Sequence, residues 1–156
     1  MLTRRLLFIA FALLMSAAAF AQKAEPGTAE EAKAMLAKAV AALKADKAKT
    51  LAQINKGEGG FLDRDLYPFC FNVSDGNVVA LAPKRASFLG TDVRTHKDKT
   101  GKEYGKELYA AAQKKEGTFS EVSYMFPKPG ADETPVQKNS FVTRVGDLGC
   151  GVGYYK

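Results

Sequence analysis

The chain has 156 residues, 26% charged and 46% hydrophobic, with a formal net charge of +6, one histidine and two cysteines. This length suits one domain with a single core. The lysines are spread out rather than gathered into a basic motif, which argues against nucleic-acid binding; a mildly basic surface instead favours an anionic small-molecule partner.

Residues 1–21 read as a cleaved signal peptide. Arg4 and Arg5 form a basic start, Leu6 to Ala18 an apolar run, and Ala19-Phe20-Ala21 a small-x-small cleavage site. The mature chain then starts at Gln22, is exported to the periplasm or out of the cell, and carries +4 on 135 residues, because cleavage removes two arginines and no acid. An uncleaved anchor is the alternative, but spanning a membrane takes about 20 apolar residues and this run is shorter. The single domain therefore covers residues 22–156.

Thr28 is an N-cap, and Glu31 three residues on completes a capping box. No Pro or Gly follows before Gly57, so the pattern predicts one helix over 28–56, about 40 Å long at 1.5 Å per residue. Leu36, Val40, Leu43, Thr50, Leu51 and Ile54 give it a narrow apolar stripe suited to lying along a sheet. Pairing of this helix into a homodimer is the alternative, although no heptad seam is sustained.

After the loop GEGGFLDRDLYP, Phe69 to Ser74 reads as the first strand, Asp75-Gly76 as a hairpin turn and Asn77 to Ala82 as the second strand. Residues 83–103 form a long polar connection of the kind that is functional or carries short helices. Tyr104 to Lys115 is a helix. Strands follow at Phe119 to Phe126, Val136 to Val145 and Leu148 to Tyr155. Five antiparallel strands with helices on one side make an α+β sandwich.

Catalytic chemistry finds little support. His96 sits in the polar connection without a nucleophile partner and reads as a solvated residue. Paired-Cys zinc spacing, HExxH and GxSxG are all missing. Asp63, Asp65, Asp92 and Asp98 are too sparse for a calcium loop and read as turn and cap formers. No catalytic residue, cofactor or metal is therefore expected.

Five segments, in order, resemble the single Cache domain, a PAS-like extracytoplasmic sensor module. They are FNVSDGNVVALAP, GTDVRTHKDKTGKEYGKELYAAAQ, EVSYMFPKP, PVQKNSFVTRV and DLGCGVGYYK. Ala82-Pro83 stands where the family often has His-Pro, and Phe126 where it often has Trp. The resemblance implies a five-stranded antiparallel sheet with the long N-terminal helix packed on one face. It also places a ligand pocket between the sheet and residues 83–103. Strand parity puts Tyr124 and Phe126 on one face, and likewise Lys138 and Ser140. Together with Arg94 from the connection, these are the candidate ligand-binding residues. Ring faces would cover an alkyl chain, and the hydroxyl and cations would hold a carboxylate. The alternatives are core packing for the two aromatics and solvent exposure for Lys138 and Arg94.

Cys70 and Cys150 fall in the first and last strands, neighbours in a PAS-like sheet. An even count in an oxidising compartment points to a disulfide between them, with two buried thiols as the alternative. The functional expectation is a periplasmic, non-catalytic sensor module for a small organic anion such as a short carboxylate. It would act through a separate partner, such as a membrane receptor or kinase, because no output domain follows Lys156. The alternative is an interaction or structural protein with a vestigial pocket, dimerising through its helix.

Overall fold

A computed structural model describes residues 25–130 and 132–156. The expected signal peptide lies outside the described residues. The elements run α1 (Ala29–Ala45), α2 (Lys47–Lys56), β1 (Pro68–Asn72), β2 (Val78–Ala80), α3 (Tyr104–Ala112), β3 (Ser120–Pro127), β4 (Pro135–Val145) and β5 (Leu148–Tyr155). Two 3-10 turns, Pro83–Phe88 and Val93–Thr95, sit between β2 and α3. Among the described residues no helix is long and apolar enough to cross a membrane.

The single helix expected over 28–56 is two helices. Thr28 and Glu31 do form the capping box that starts α1. The break is at Asp46, whose backbone is extended at φ −155° and ψ 95°. Its N–H closes α1 on the Ala42 carbonyl, and its side chain accepts from the Lys49 N–H to open α2. Aspartate is a poor helix-interior residue and a good N-cap, a preference worth about 1 kcal/mol. The apolar side of α1 (Ala32, Met35, Leu36, Ala39 and Leu43) is buried in the core beneath it, against β5 and β4. That stripe is consumed within the chain.

The sheet is antiparallel, in the order β2-β1-β5-β4-β3. The last strand thus returns beside the first, as expected. The helices are not all on one side, however. α1 and α2 cover one core, which holds Cys70, Phe141, Leu148, Cys150 and Val152. α3 and the 3-10 turns cover the opposite core, which holds Phe71, Val122, Tyr124 and Val142. Strand alternation explains the division, since neighbouring residues serve opposite faces. β2 is shorter than the sequence suggested. The Leu81 N–H leaves the ladder and bonds to the Asn55 side-chain oxygen of α2 at 2.8 Å.

The glycines of β5 decide what fits on the α3 side. Gly149, Gly151 and Gly153 alternate with Leu148, Cys150 and Val152. A Cβ on Gly149 would run into Phe71 and Ala112, one on Gly151 into Phe69, and one on Gly153 into Lys138 and Ser140. Bare backbone there leaves room for two aromatic rings and a lysine stem. On the α1 side, Cys70 and Cys150 are direct cross-strand partners and form a disulfide, with Cα atoms 4.2 Å apart.

Candidate functional site

A cavity opens on the α3 side of the sheet. β1, β3 and β4 supply Phe69, Tyr124, Phe126 and Lys138, and the segment leading into β1 supplies Tyr67. The 3-10 turns supply Arg85, Phe88 and Val93 as a cover, with His96 just beyond, and α3 adds Tyr104 and Leu108.

Lys138 is the centre of the site. Register places it opposite Tyr124, and only 3% of it is exposed. Its Nζ donates to the Tyr67 hydroxyl at 3.0 Å. The same ammonium lies 4.5 Å from the Tyr67 ring centre, 4.9 Å from Tyr155 and 5.1 Å from Phe126. Among the described residues no carboxylate pairs with it. Ring faces offer a cation partial compensation, not neutralisation.

Arg85 is the second cation. Its Nη2 donates to the Pro127 carbonyl at 2.8 Å, and its guanidinium lies 4.8 Å over the Phe126 ring. Its Nε is buried without a hydrogen-bond partner among the described residues. Burial alone would raise the Tyr67 phenol, but the nearby Lys138 ammonium and Arg85 guanidinium outweigh it and hold the group below the ordinary tyrosine range. The site is therefore electropositive, apolar-walled and short of anions.

Tyr104 stacks on Tyr124 with ring centres 4.2 Å apart and planes within 6°. Burial, helped by Tyr67 and Asp98, pushes the Tyr104 hydroxyl up to about 12. Burial also drives Tyr124 well above the ordinary range, against the opposing effect of its bond to Ser140. Both stay neutral phenols near pH 7.

Of the residues expected from sequence, Tyr124, Phe126 and Lys138 do meet at the cavity. Ser140 stands behind them, its hydroxyl 2.8 Å from that of Tyr124. Arg94 does not join them. Asp92, the cap two residues earlier, takes its Nε at 2.9 Å and its Nη2 at 2.7 Å. The Asp75 carbonyl takes another bond from Nη2 at 2.8 Å, and the guanidinium lies 5.0 Å over Tyr109. Arg94 thus clamps the β1–β2 turn to the covering segment, and Arg85 is the arginine at the cavity. His96 is also corrected: it is half-buried in the cavity wall. Tyr67 and Tyr155 were missed, although Tyr67 shares the parity of Phe69 and Phe71.

The segment after His96 is fastened to the outer edge of β3. Asp98 accepts from the Thr100 N–H and hydroxyl, the Lys102 N–H and the Met125 N–H. Lys102 Nζ donates to the Ser123 carbonyl at 2.6 Å. These bonds occupy strand groups that an edge would otherwise leave open. Burial raises the Asp98 carboxyl, but these donors prevail and hold it at about 2 against a usual 3.8. A depressed carboxyl stabilises the fold at pH values above its unfolded pKa. That contribution fades as pH falls through about 2. Asp98→Asn is accordingly expected to cost about 1–2 kcal/mol at pH 7, after allowing for solvent screening. Urea unfolding should show the gap closing as pH is lowered through that window.

Among the described residues no group of three or more His, Cys, Asp or Glu side chains is placed to hold a metal ion. Residues 61–156, the hairpin, cover, α3 and final three strands, match the family model for the Cache domain. The chain belongs to the Cache family. Its solved neighbours have the same fold. A methyl-accepting chemotaxis protein from Vibrio parahaemolyticus RIMD 2210633 is 24% identical, with 81% of this chain and 86% of that one covered and a TM-score of 0.62. A periplasmic sensor domain of a chemotaxis protein is 23% identical, over 81% and 88% of the two chains, with a TM-score of 0.59. A Cache chemosensory domain described for carboxylic acid recognition is 24% identical, over 81% and 86%, with a TM-score of 0.57. No curated protein sequence matches the chain. This Cache domain thus combines the family's sheet with a cavity built around Lys138 and Arg85.

Proposed function

We propose that this Cache domain is a periplasmic, non-catalytic sensor module that binds a short carboxylate and passes the signal to a separate membrane receptor or kinase. One observation carries the reading: the buried Lys138 ammonium has no carboxylate partner among the described residues and faces an aromatic cavity it shares with Arg85. A carboxylate between the two cations would fill the unused donors with charge-assisted hydrogen bonds. The faces of Phe126, Phe88 and Tyr124 would cover a short alkyl chain. Both the carboxylic-acid recognition described for the solved Cache neighbour and the signal-peptide pattern of residues 1–21 support this reading.

Isothermal titration against acetate, propionate and butyrate tests it. Saturable binding to at least one acid is expected, with Arg85→Gln weakening it about 10-fold through loss of one charge-assisted contact. A folded protein that binds none of these acids would remove the proposal's main support.

A further inference from the structure

His96 is held by a hydrogen-bond relay that fixes which ring nitrogen bears the proton. The Thr91 hydroxyl has one hydrogen and donates it to the Phe88 carbonyl at 2.7 Å. The same oxygen lies 2.8 Å from His96 Nε2. With its hydrogen already committed, Thr91 can only accept there, so Nε2 must carry the N–H. A neutral imidazole has a single N–H, which leaves Nδ1 as a lone-pair acceptor. Among the described residues Nδ1 has no hydrogen-bond partner.

The ring is also fixed in place. The backbone N–H of His96 donates to the Val93 carbonyl at 3.1 Å, and its backbone carbonyl accepts from the Gly105 N–H at 3.2 Å. Phe88 meets the imidazole edge-on at 5.0 Å, and Tyr104 flanks it at 6.1 Å. Burial lowers the His96 pKa below its ordinary value, with Asp92 opposing, which favours the neutral ring near pH 7. The remaining acceptor therefore belongs to a rigid, uncharged group in the cavity wall. Phe88 links it along the wall to Phe126, the ring over which Lys138 and Arg85 lie.

We infer that His96 is a specificity-determining residue, whose Nδ1 accepts a hydrogen bond from a hydroxyl on the ligand's alkyl chain. The ligand class becomes a short hydroxy-monocarboxylate, with its carboxylate at Lys138 and Arg85 and its hydroxyl toward His96. An amine would also donate to Nδ1, but it would bring a third positive charge into a cavity that already holds the buried Lys138 and the half-buried Arg85. This inference rests on the carboxylate reading above.

The chain has one histidine, so long-range proton–nitrogen NMR spectra report the tautomer directly. The Nε2–H form is expected in the free protein. The Nδ1 resonance should shift on adding a hydroxy acid and stay in place with its unsubstituted partner. Titrations of acetate against glycolate, propionate against 3-hydroxypropionate, and butyrate against 4-hydroxybutyrate give the second readout. At least one hydroxy acid should bind about 3- to 10-fold tighter than its partner, the range of one hydrogen bond. His96→Phe should erase that preference, so that each hydroxy acid binds no tighter than its unsubstituted partner. Thr91→Val, which breaks the relay, should reduce it. An Nδ1–H tautomer overturns the inference, as does equal binding within every pair while the acids still bind. Failure of every acid to bind overturns the carboxylate reading, and this inference with it.

Discussion

Lys138→Met is expected to weaken short-carboxylate binding by at least about 30-fold while costing no more than about 1 kcal/mol of stability. The two effects separate because of what the ammonium does in the free protein. It is 3% exposed and has no counterion among the described residues, so the fold carries its desolvation cost against three ring faces and one phenol. Methionine keeps the unbranched stem that packs on Gly153, and its sulfur suits aromatic surroundings. Removing a buried charge together with its desolvation cost is commonly near neutral. Binding has no such compensation, because the carboxylate loses its principal charge-assisted donor. Lys138→Ala would confuse the test by opening a cavity. Calorimetric titration and urea unfolding on the same Lys138→Met sample decide the matter. A large stability loss with affinity intact would assign Lys138 to the core instead.

Much of the architecture could be read from residue patterns because it depends on local alternation. Strand β5 was legible to its ends, since Gly149, Gly151 and Gly153 interleave with residues that fill the α1-side core. The aromatic floor and Lys138 were legible for the same reason. Parity alone sets which side chains share a face. The break at Asp46 was obscured because helix propensity accumulates over a window while a cap acts at one residue. The side of the sheet taken by α3 was hidden as well, because its Ala-rich surface does not distinguish one sheet face from the other.

The cover over the cavity was the least legible part. Residues 83–103 have no apolar period, and their positions depend on tertiary contacts such as Arg85 on Phe126 and Asp98 on the Met125 N–H. Arg94 and Arg85 show the difficulty. Both are cations in the same connection. Asp92, two residues before Arg94, supplies a local partner that holds it away from the cavity. Arg85 follows Pro83 in a turn with no acid nearby in sequence, so its guanidinium reaches the end of β3. An acid two residues away was the signal that could have separated them.

Replacing both Cys70 and Cys150 by serine is expected to cost about 4 kcal/mol in unfolding free energy and to leave carboxylate affinity within about 2-fold. The stability term comes from the unfolded chain. The disulfide joins residues 80 apart in sequence, enclosing β2, the cavity cover, α3, β3 and β4. Its loss frees a long loop whose closure entropy the oxidised unfolded state had already given up. The binding term follows from the sheet's two faces. Both sulfurs belong to the α1-side core, whereas Lys138, Tyr124 and Phe126 line the cavity on the α3 side. Pairing of β1 with β5 also persists without the crosslink, through the backbone ladder from Pro68–Val152 to Asn72–Leu148. Both cysteines have no exposed surface, so reduction of the native protein should require opening beneath α1. Urea curves of the oxidised, reduced and doubly substituted forms, each with a parallel titration, separate the two terms. An unchanged unfolding midpoint would show that the crosslink does not constrain the unfolded chain. A lost affinity in the folded variant would show that the cavity depends on strain or alignment transmitted through β1 and β5.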